Sequence, residues 1–314
     1  MPAHHKVWFI TGAARGIGAG IVRAALDAGD FVVATARNPD AIPLPRPGEA
    51  DRLLSLALDV TRPDTVEAAV AAAIERFGVI DVLVNNAGYG LFGAFEELSP
   101  EAIRTQFDTN LFGALCVTRA VLPHMRERRS GYILSIASTV GVAGADMASI
   151  YAATKFAMVG WSESMSLELA RFGIRATAVI AGGFRTDFLD PGSAVHAVST
   201  IPDYAEVGAA NRARRDAASH RQDGDPDALG RALVVLAALD EPPARFPAGS
   251  FAVGALERAA KEMGRSASDW RALAETTDFG ASEPLVAASR HGRNDSGASD
   301  IAQEAGKAGQ PLPD

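Results

Sequence analysis

Tyr151 and Lys155 stand four positions apart in the stretch YAATK. In water a phenol titrates near ~10 and an ammonium near ~10.4, so neither is reactive alone at neutral pH. On a helix this spacing stacks both side chains on one face, where the cation favours the phenolate. The pair can then move a proton. The same pair also occurs as plain surface decoration, so the surrounding elements must decide. Lys155 is one of only four lysines, with Lys6, Lys261 and Lys307, in a chain whose other basic residues are arginine.

A second candidate is TGAARGIG, where Gly12, Arg15, Gly16, Ile17 and Gly18 follow an apolar run and lead into a helical pattern. Glycines there let the backbone turn tightly and approach a pyrophosphate, whose charge suits the free N–H groups at a helix start. The spacing, Gly-x-x-x-Gly-x-Gly, differs from the common Gly-x-Gly-x-x-Gly fingerprint, but the position after a first strand predicts a dinucleotide site. At the end of the second apolar run an NAD-binding protein usually places a carboxylate on the ribose hydroxyls. This chain reads ATARNPD instead, with Arg37 at that point. Arg37, joined by Arg15, suits a 2′-phosphate, which predicts NADP(H) in preference to NAD(H); two solvated surface arginines are the plainer alternative.

The elements that must position these groups are marked by hydropathy. Apolar runs of strand length fall at 6–11, 31–36, 53–58, 82–86, 132–137, 175–180 and 249–253, separated by helical patterns. Runs apolar on both faces and alternating with helices predict an α/β fold, a doubly wound parallel sheet of about seven strands with helices on both faces. Helices are expected at GIVRAALDAG, at RPDTVEAAVAAAIERFG, over 99–130 with a bend or break at Gly113 or Pro123, and over 151–172 with a stop at Gly173. Two more are expected at PDALGRALVVLAALDE and ERAAKEMG. Residues 187–225 are polar, irregular and partly helical, and 281–314 turn to Ala, Gly, Ser and Asp, a composition that suits a disordered tail.

Composition excludes several function classes. A net charge of −8 without a Lys/Arg cluster argues against nucleic acid. No stretch approaches the ~18 apolar residues of a membrane span, so no membrane partner is expected. Cys116 is the sole cysteine and cannot form an internal disulfide, which fits a reducing, cytoplasmic location. The six histidines are scattered without zinc-like spacing, and no metal site is expected.

Taken together these motifs resemble the short-chain dehydrogenase/reductase family in its compact form. The resemblance runs from about residue 5 to 255, through TGAARGIG, Asp59-Val60, NNAG at 85–88, Asn110, Ser138, Tyr151 and Lys155 in order. It implies a single Rossmann-like catalytic domain over 1–280 with a substrate lid over 187–225. It implies that Asp59 and Val60 lie near the adenine and that Asn86, Ala87 and Gly88 border the cofactor. Tyr151 would exchange a proton with the substrate oxygen while hydride moves to or from the nicotinamide, and Lys155 would tune the tyrosine and bind the nicotinamide ribose. Ser138 would hold the substrate oxygen, and Asn110 would hold a water leading to Lys155. Gly182 and Thr186 would meet the cofactor after the sixth strand. The family's proline is replaced there by Ala181, from which weaker cofactor ordering is expected.

Tyr89, Leu91, Phe92, Phe95, Val140, Val142, Phe184, Phe188 and Leu189 are candidates for an apolar mouth. The expected substrate is a small apolar ketone, aldehyde or secondary alcohol. A catalytically weak sensor or scaffold of the same fold, and sugar-nucleotide epimerisation, are the competing readings. The resemblance also implies a homodimer or homotetramer.

Overall fold

The computed structural model describes residues 5–279. In chain order its main elements are β1 (Val7–Thr11), α1 (Gly16–Asp27), β2 (Phe31–Ala36), β3 (Leu53–Ala57), α2 (Pro63–Phe77), β4 (Val82–Asn85), β5 (Gly90–Phe92), α3 (Pro100–Phe107), α4 (Gly113–Arg128), β6 (Gly131–Ile136), α5 (Ser149–Leu169), β7 (Ile174–Ala181), β8 (Ala194–His196), α6 (Pro202–Ala218), α7 (Pro226–Ala238), β9 (Arg245–Ala248) and α8 (Ser250–Asp269). Residues 5–259 form one compact unit, and a second begins at Ala260, within α8. The tail expected from 281 lies outside the described residues.

Seven strands form one parallel sheet in the order β3-β2-β1-β4-β6-β7-β9. Alternate residues of each strand point to opposite faces, so each face needs its own helical cover. Trp8 and Ile10 pack with Ile21 of α1 and Leu233 of α7 on one face. Val7 and Phe9 pack with Val66 and Val70 of α2 and Val117 and Val121 of α4 on the other. Burying each of these side chains contributes about 1.5–3 kcal/mol, which is why strands this short hold their register. Strand order reverses between β1 and β4, and there the carboxyl ends of the strands open a crevice.

Six strand positions match the apolar runs, but the seventh does not. The run 249–253 is not a strand; the edge strand is β9, the four residues RFPA before it. Gly249 at φ +90° ends that strand, and α8 starts at Ser250. Pro247 is tolerated because β9 lies at the edge of the sheet. The long helix expected over 99–130 breaks earlier than Gly113 or Pro123. Between α3 and α4, residues Asp108–Phe112 adopt one π-helical turn, and Pro123 sits inside α4. The segment 187–225 is partly regular: it contains β8, which pairs with β5 in a small parallel ribbon, and α6.

Candidate active site

Every motif assembled from the sequence falls beyond the carboxyl end of a strand or on an adjoining helix. Gly12–Gly18 follow β1, Arg37 follows β2, Asp59 and Val60 follow β3, Asn86–Gly88 follow β4, Ser138 follows β6, and Gly182–Thr186 follow β7.

The glycine loop leaves no room for a side chain at Gly18. A Cβ on Gly18 would come within 2.3 Å of the Gly12 carbonyl oxygen and 2.7 Å of the Asn86 amide, and Gly16, at φ +56°, backs onto Thr186. Helix α1 begins without a side-chain cap and without an acid in its first turn, which suits an anion at its N-terminus. Asn86 ties β4 to this loop, its amide donating to the Thr11 and Gly12 carbonyls at 2.9 and 3.0 Å. The buried Thr11 hydroxyl accepts from the N–H groups of Asn86 and Ala87. The residues present therefore fit a dinucleotide pyrophosphate. Gly18→Ala is expected to weaken dinucleotide binding at least about tenfold and to lower stability by about 1–3 kcal/mol, since the overlap is with backbone; titration calorimetry and thermal melting measure the two effects.

Arg15 bonds the Ser193 hydroxyl. The nearby Asp190 carboxyl is held below its usual value mainly by hydrogen bonds from His220 and Ser219, with Arg15 the smallest contributor. Arg37 is exposed beside Asp59. Burial would raise the Asp59 carboxyl, but the Thr61 N–H and hydroxyl, together with Arg37 and Arg62, hold it below its usual value. Ala181 is not in a loose turn. It is buried at the end of β7, in register with Ala248, and the following Gly182 N–H bonds the Ala248 carbonyl. Thr186 is buried, its hydroxyl accepting from the Phe188 N–H.

Tyr151 and Lys155 lie on the first turns of α5 and are both buried. The Lys155 ammonium is 5.9 Å from the centre of the Tyr151 ring and donates to the Ile136 carbonyl at 2.7 Å. The expectation that the lysine lowers the tyrosine's pKa is not what this structure shows. Burial pushes Tyr151 up to about 12, with the facing Ser138 hydroxyl offsetting part of the rise. Burial pulls Lys155 down to about 8. Desolvation outweighs the mutual influence of the two groups because both are taken out of water.

Asn110 sits in the π-helical turn and is fully buried. Its carbonyl accepts from the Tyr89 N–H at 3.0 Å, and its amide donates to the Tyr89 carbonyl at 2.9 Å and the Thr154 hydroxyl at 3.3 Å. Thr154 donates in turn to the Tyr151 carbonyl. A π turn carries one extra residue per hydrogen-bonded ring, and here it re-aims Asn110 toward α5.

Of the residues expected at an apolar mouth, Phe92, Val140 and Phe188 pack around Tyr151. Leu91 belongs to a separate cluster with Leu98 and Ile150, Val142 packs under α5, Phe184 joins the main core and Phe95 is exposed. The Phe92 and Phe188 rings lie 5.8 and 5.7 Å from the Tyr151 ring. His196 of β8 and Arg215 of α6 also lie against Phe92, at 5.6 and 4.2 Å from its centre. These two were missed by sequence reasoning, and no motif or spacing marks them. Among the described residues no helix is long and apolar enough to cross a membrane.

The geometry has counterparts in known proteins. The pattern of the short chain dehydrogenase family matches residues 6–194. Oxidoreductase BOA17 of Botryotinia fuckeliana is 38% identical over 269 residues, 85% of this chain and 97% of that protein. A 3-ketodihydrosphingosine reductase of Bacteroides thetaiotaomicron is 34% identical over 245 residues, 78% of this chain and 88% of that one. A solved short-chain dehydrogenase from Streptomyces avermitilis superposes with a TM-score of 0.80 at 36% identity, covering 88% of this chain and 100% of its own. With the fold, the order of motifs and the family pattern in agreement, the chain belongs to the short-chain dehydrogenase family of NAD(P)-dependent oxidoreductases.

Proposed function

We propose that the protein is an NADP(H)-preferring carbonyl reductase or secondary-alcohol dehydrogenase for small apolar substrates. The observation that carries this reading is the buried Tyr151, faced by Ser138, sharing a helix with Lys155 and walled by Phe92 and Phe188. When bound, the nicotinamide supplies or takes the hydride. The chain's own residues handle everything else. Gly12, Gly16 and Gly18 would cradle the pyrophosphate, with Ile17 in the first turn of α1; Asp59 and Val60 would border the adenine; Asn86, Ala87 and Gly88 would shape the floor; and Gly182 and Thr186 would close the nicotinamide end.

In reduction the Tyr151 hydroxyl gives its proton to the carbonyl oxygen as that oxygen gains charge. The Ser138 hydroxyl donates a hydrogen bond to the same oxygen and stabilises the charge as it develops. Lys155, seen on the Ile136 carbonyl, would hold the nicotinamide ribose when the dinucleotide is bound and would return a proton to the emptied tyrosine, while Asn110 fixes the Tyr89 backbone at the start of the proton path. The aromatic walls exclude water and suit an apolar ketone. The Bacteroides relative, named for the reduction of a ketone, points the same way. A panel of aliphatic and aromatic ketones with NADPH, followed by loss of nicotinamide absorbance, tests the reading; no turnover of any member overturns it.

The preference for the phosphorylated dinucleotide rests on Arg37 at the end of β2, where an acid would serve NAD. Arg37→Asp is expected to lower NADPH affinity about 10- to 100-fold and to leave NADH affinity equal or higher, because one charge-assisted pair is lost and a ribose acceptor gained. Melting curves with each dinucleotide read this directly. If NADH stabilises the wild-type chain more than NADPH does, the preference is wrong.

The same reading includes a homodimer or homotetramer in a reducing cytoplasm. Phe112 at the head of α4 and Phe156 and Leu167 on α5 are exposed apolar side chains that self-association would cover. Light scattering on the purified protein measures the assembly.

A further inference from the structure

The lid helix α6 is fastened to the turn that launches the catalytic helix, and the fastening runs through one arginine. Arg215 is half-buried, and its guanidinium donates to the carbonyls of Asp146 and Met147 at 3.1 and 3.3 Å. It also lies over Phe92, with Cζ 4.2 Å from the ring centre. One turn earlier, Asn211 is buried and donates to the Asp146 carboxylate at 2.9 Å.

What they fasten is an unusual piece of backbone. Met147 is a non-glycine residue at φ +53°, in the left-handed region that favours glycine. Such a residue persists where its neighbours over-determine it. Its carbonyl here accepts from both the Gly93 N–H, at 2.9 Å, and Arg215. Ala148 follows as the first flank of α5 and packs with Phe92 and Tyr151 in one cluster. Tyr151 is therefore four residues from the strained turn and one ring away from the arginine.

We propose that Arg215 is a positioning residue: by gripping the 146–147 turn and stacking on Phe92, it couples closure of the α6 lid to the placement of the Tyr151 ring. With the lid shut, the first turn of α5 and the aromatic wall are held together. With it open, Met147 loses one of its two donors and Phe92 loses its cationic cover, so Tyr151 loses its fixed direction. Substrate capture and alignment of the proton donor then become one event. The inference rests on the acid/base role proposed for Tyr151.

The test compares wild type with Arg215→Met and Arg215→Lys by hydrogen exchange and by turnover of phenanthrenequinone with NADPH. In Arg215→Met the amides of residues 91–96 and 147–153 are expected to exchange about tenfold faster or more, while those of the glycine loop keep wild-type rates. Turnover is expected to show kcat lower by about 10- to 100-fold with KM changed far less, since the proton donor is misaligned rather than the substrate lost. Arg215→Lys, which can still donate to both carbonyls but lacks the guanidinium over Phe92, is expected to recover most of the exchange protection and part of kcat. Faster exchange confined to 202–218, or a raised KM with kcat unchanged, overturns the proposal and leaves Arg215 as a latch for the lid alone. Absence of wild-type turnover counts against the carbonyl reading, and the exchange pattern still decides the coupling.

Discussion

Tyr151→Phe will lower kcat by about 100- to 10,000-fold, the range that a positioned general acid contributes, with dinucleotide affinity nearly unchanged. The substitution removes one hydroxyl and keeps the ring that packs against Phe92 and Phe188, so the fold and the pocket walls are preserved. Because burial holds the phenol up at about 12, the group is fully protonated at neutral pH and loaded for reduction. Oxidation of an alcohol needs the phenolate instead. Its rate is expected to climb about tenfold per pH unit between pH ~7 and ~9, while reduction stays nearly flat until the phenol begins to ionise. Steady-state rates in both directions, with and without the hydroxyl, check the assignment; a variant keeping more than about a tenth of wild-type kcat would sink it.

Lys155→Met should abolish most turnover and at the same time make the protein harder to melt. The ammonium is buried and held at about 8, below the ~10.4 it has in the unfolded chain. The folded state thus disfavours the proton that the unfolded state keeps. That cost is present in full below about pH 8 and fades as pH rises toward the unfolded value. At pH ~7 it is on the order of 2–3 kcal/mol, reduced by the bond to the Ile136 carbonyl that the variant forgoes. Methionine has similar length and no charge to desolvate, so a rise in melting temperature of about 2–6 °C is expected at pH ~7, shrinking toward pH ~10. Equal melting of the two proteins at both pH values would show that Lys155 is not held strained in the fold. A residue that destabilises its own protein is retained for what it does, and the proposed proton supply and ribose binding would account for Lys155.

These two predictions concern residues the sequence pointed to, but their burial, on which both predictions turn, came only from the fold. Four-residue spacing put Tyr151 and Lys155 on one helix face, as expected. It could not say that both would be buried, and burial reverses the expected direction of the tyrosine's shift. The spacing argument assumes a shared aqueous surface, whereas the packing of Phe92, Ala148 and Phe188 removes the solvent that would have stabilised a phenolate.

The sheet was readable because strands covered on both faces are continuous apolar runs, and six of the seven showed that signal. The last did not, since an edge strand such as RFPA has an exposed arginine and a proline, while the more apolar GSFAV turns at Gly249 into a helix. Local sequence likewise did not show the π turn at Asp108–Phe112. That turn reflects where α3 and α4 must each pack, and its effect is to bring Asn110 to Tyr89 and Thr154.

By itself, then, the alternation of apolar runs with helical patterns determined the fold class, and the glycine loop, NNAG, Ser138, Tyr151 and Lys155 marked the carboxyl-edge crevice and the proposed acid/base pair, because each depends on residue type and on spacing along one element. Tertiary structure alone decided which aromatic side chains wall the tyrosine, and that Arg215 and Asn211 reach back from α6 to the 146–147 turn. Those contacts join residues more than sixty positions apart. No periodicity spans such a distance, and only the closing of β8 and α6 over the sheet's carboxyl edge brings them together.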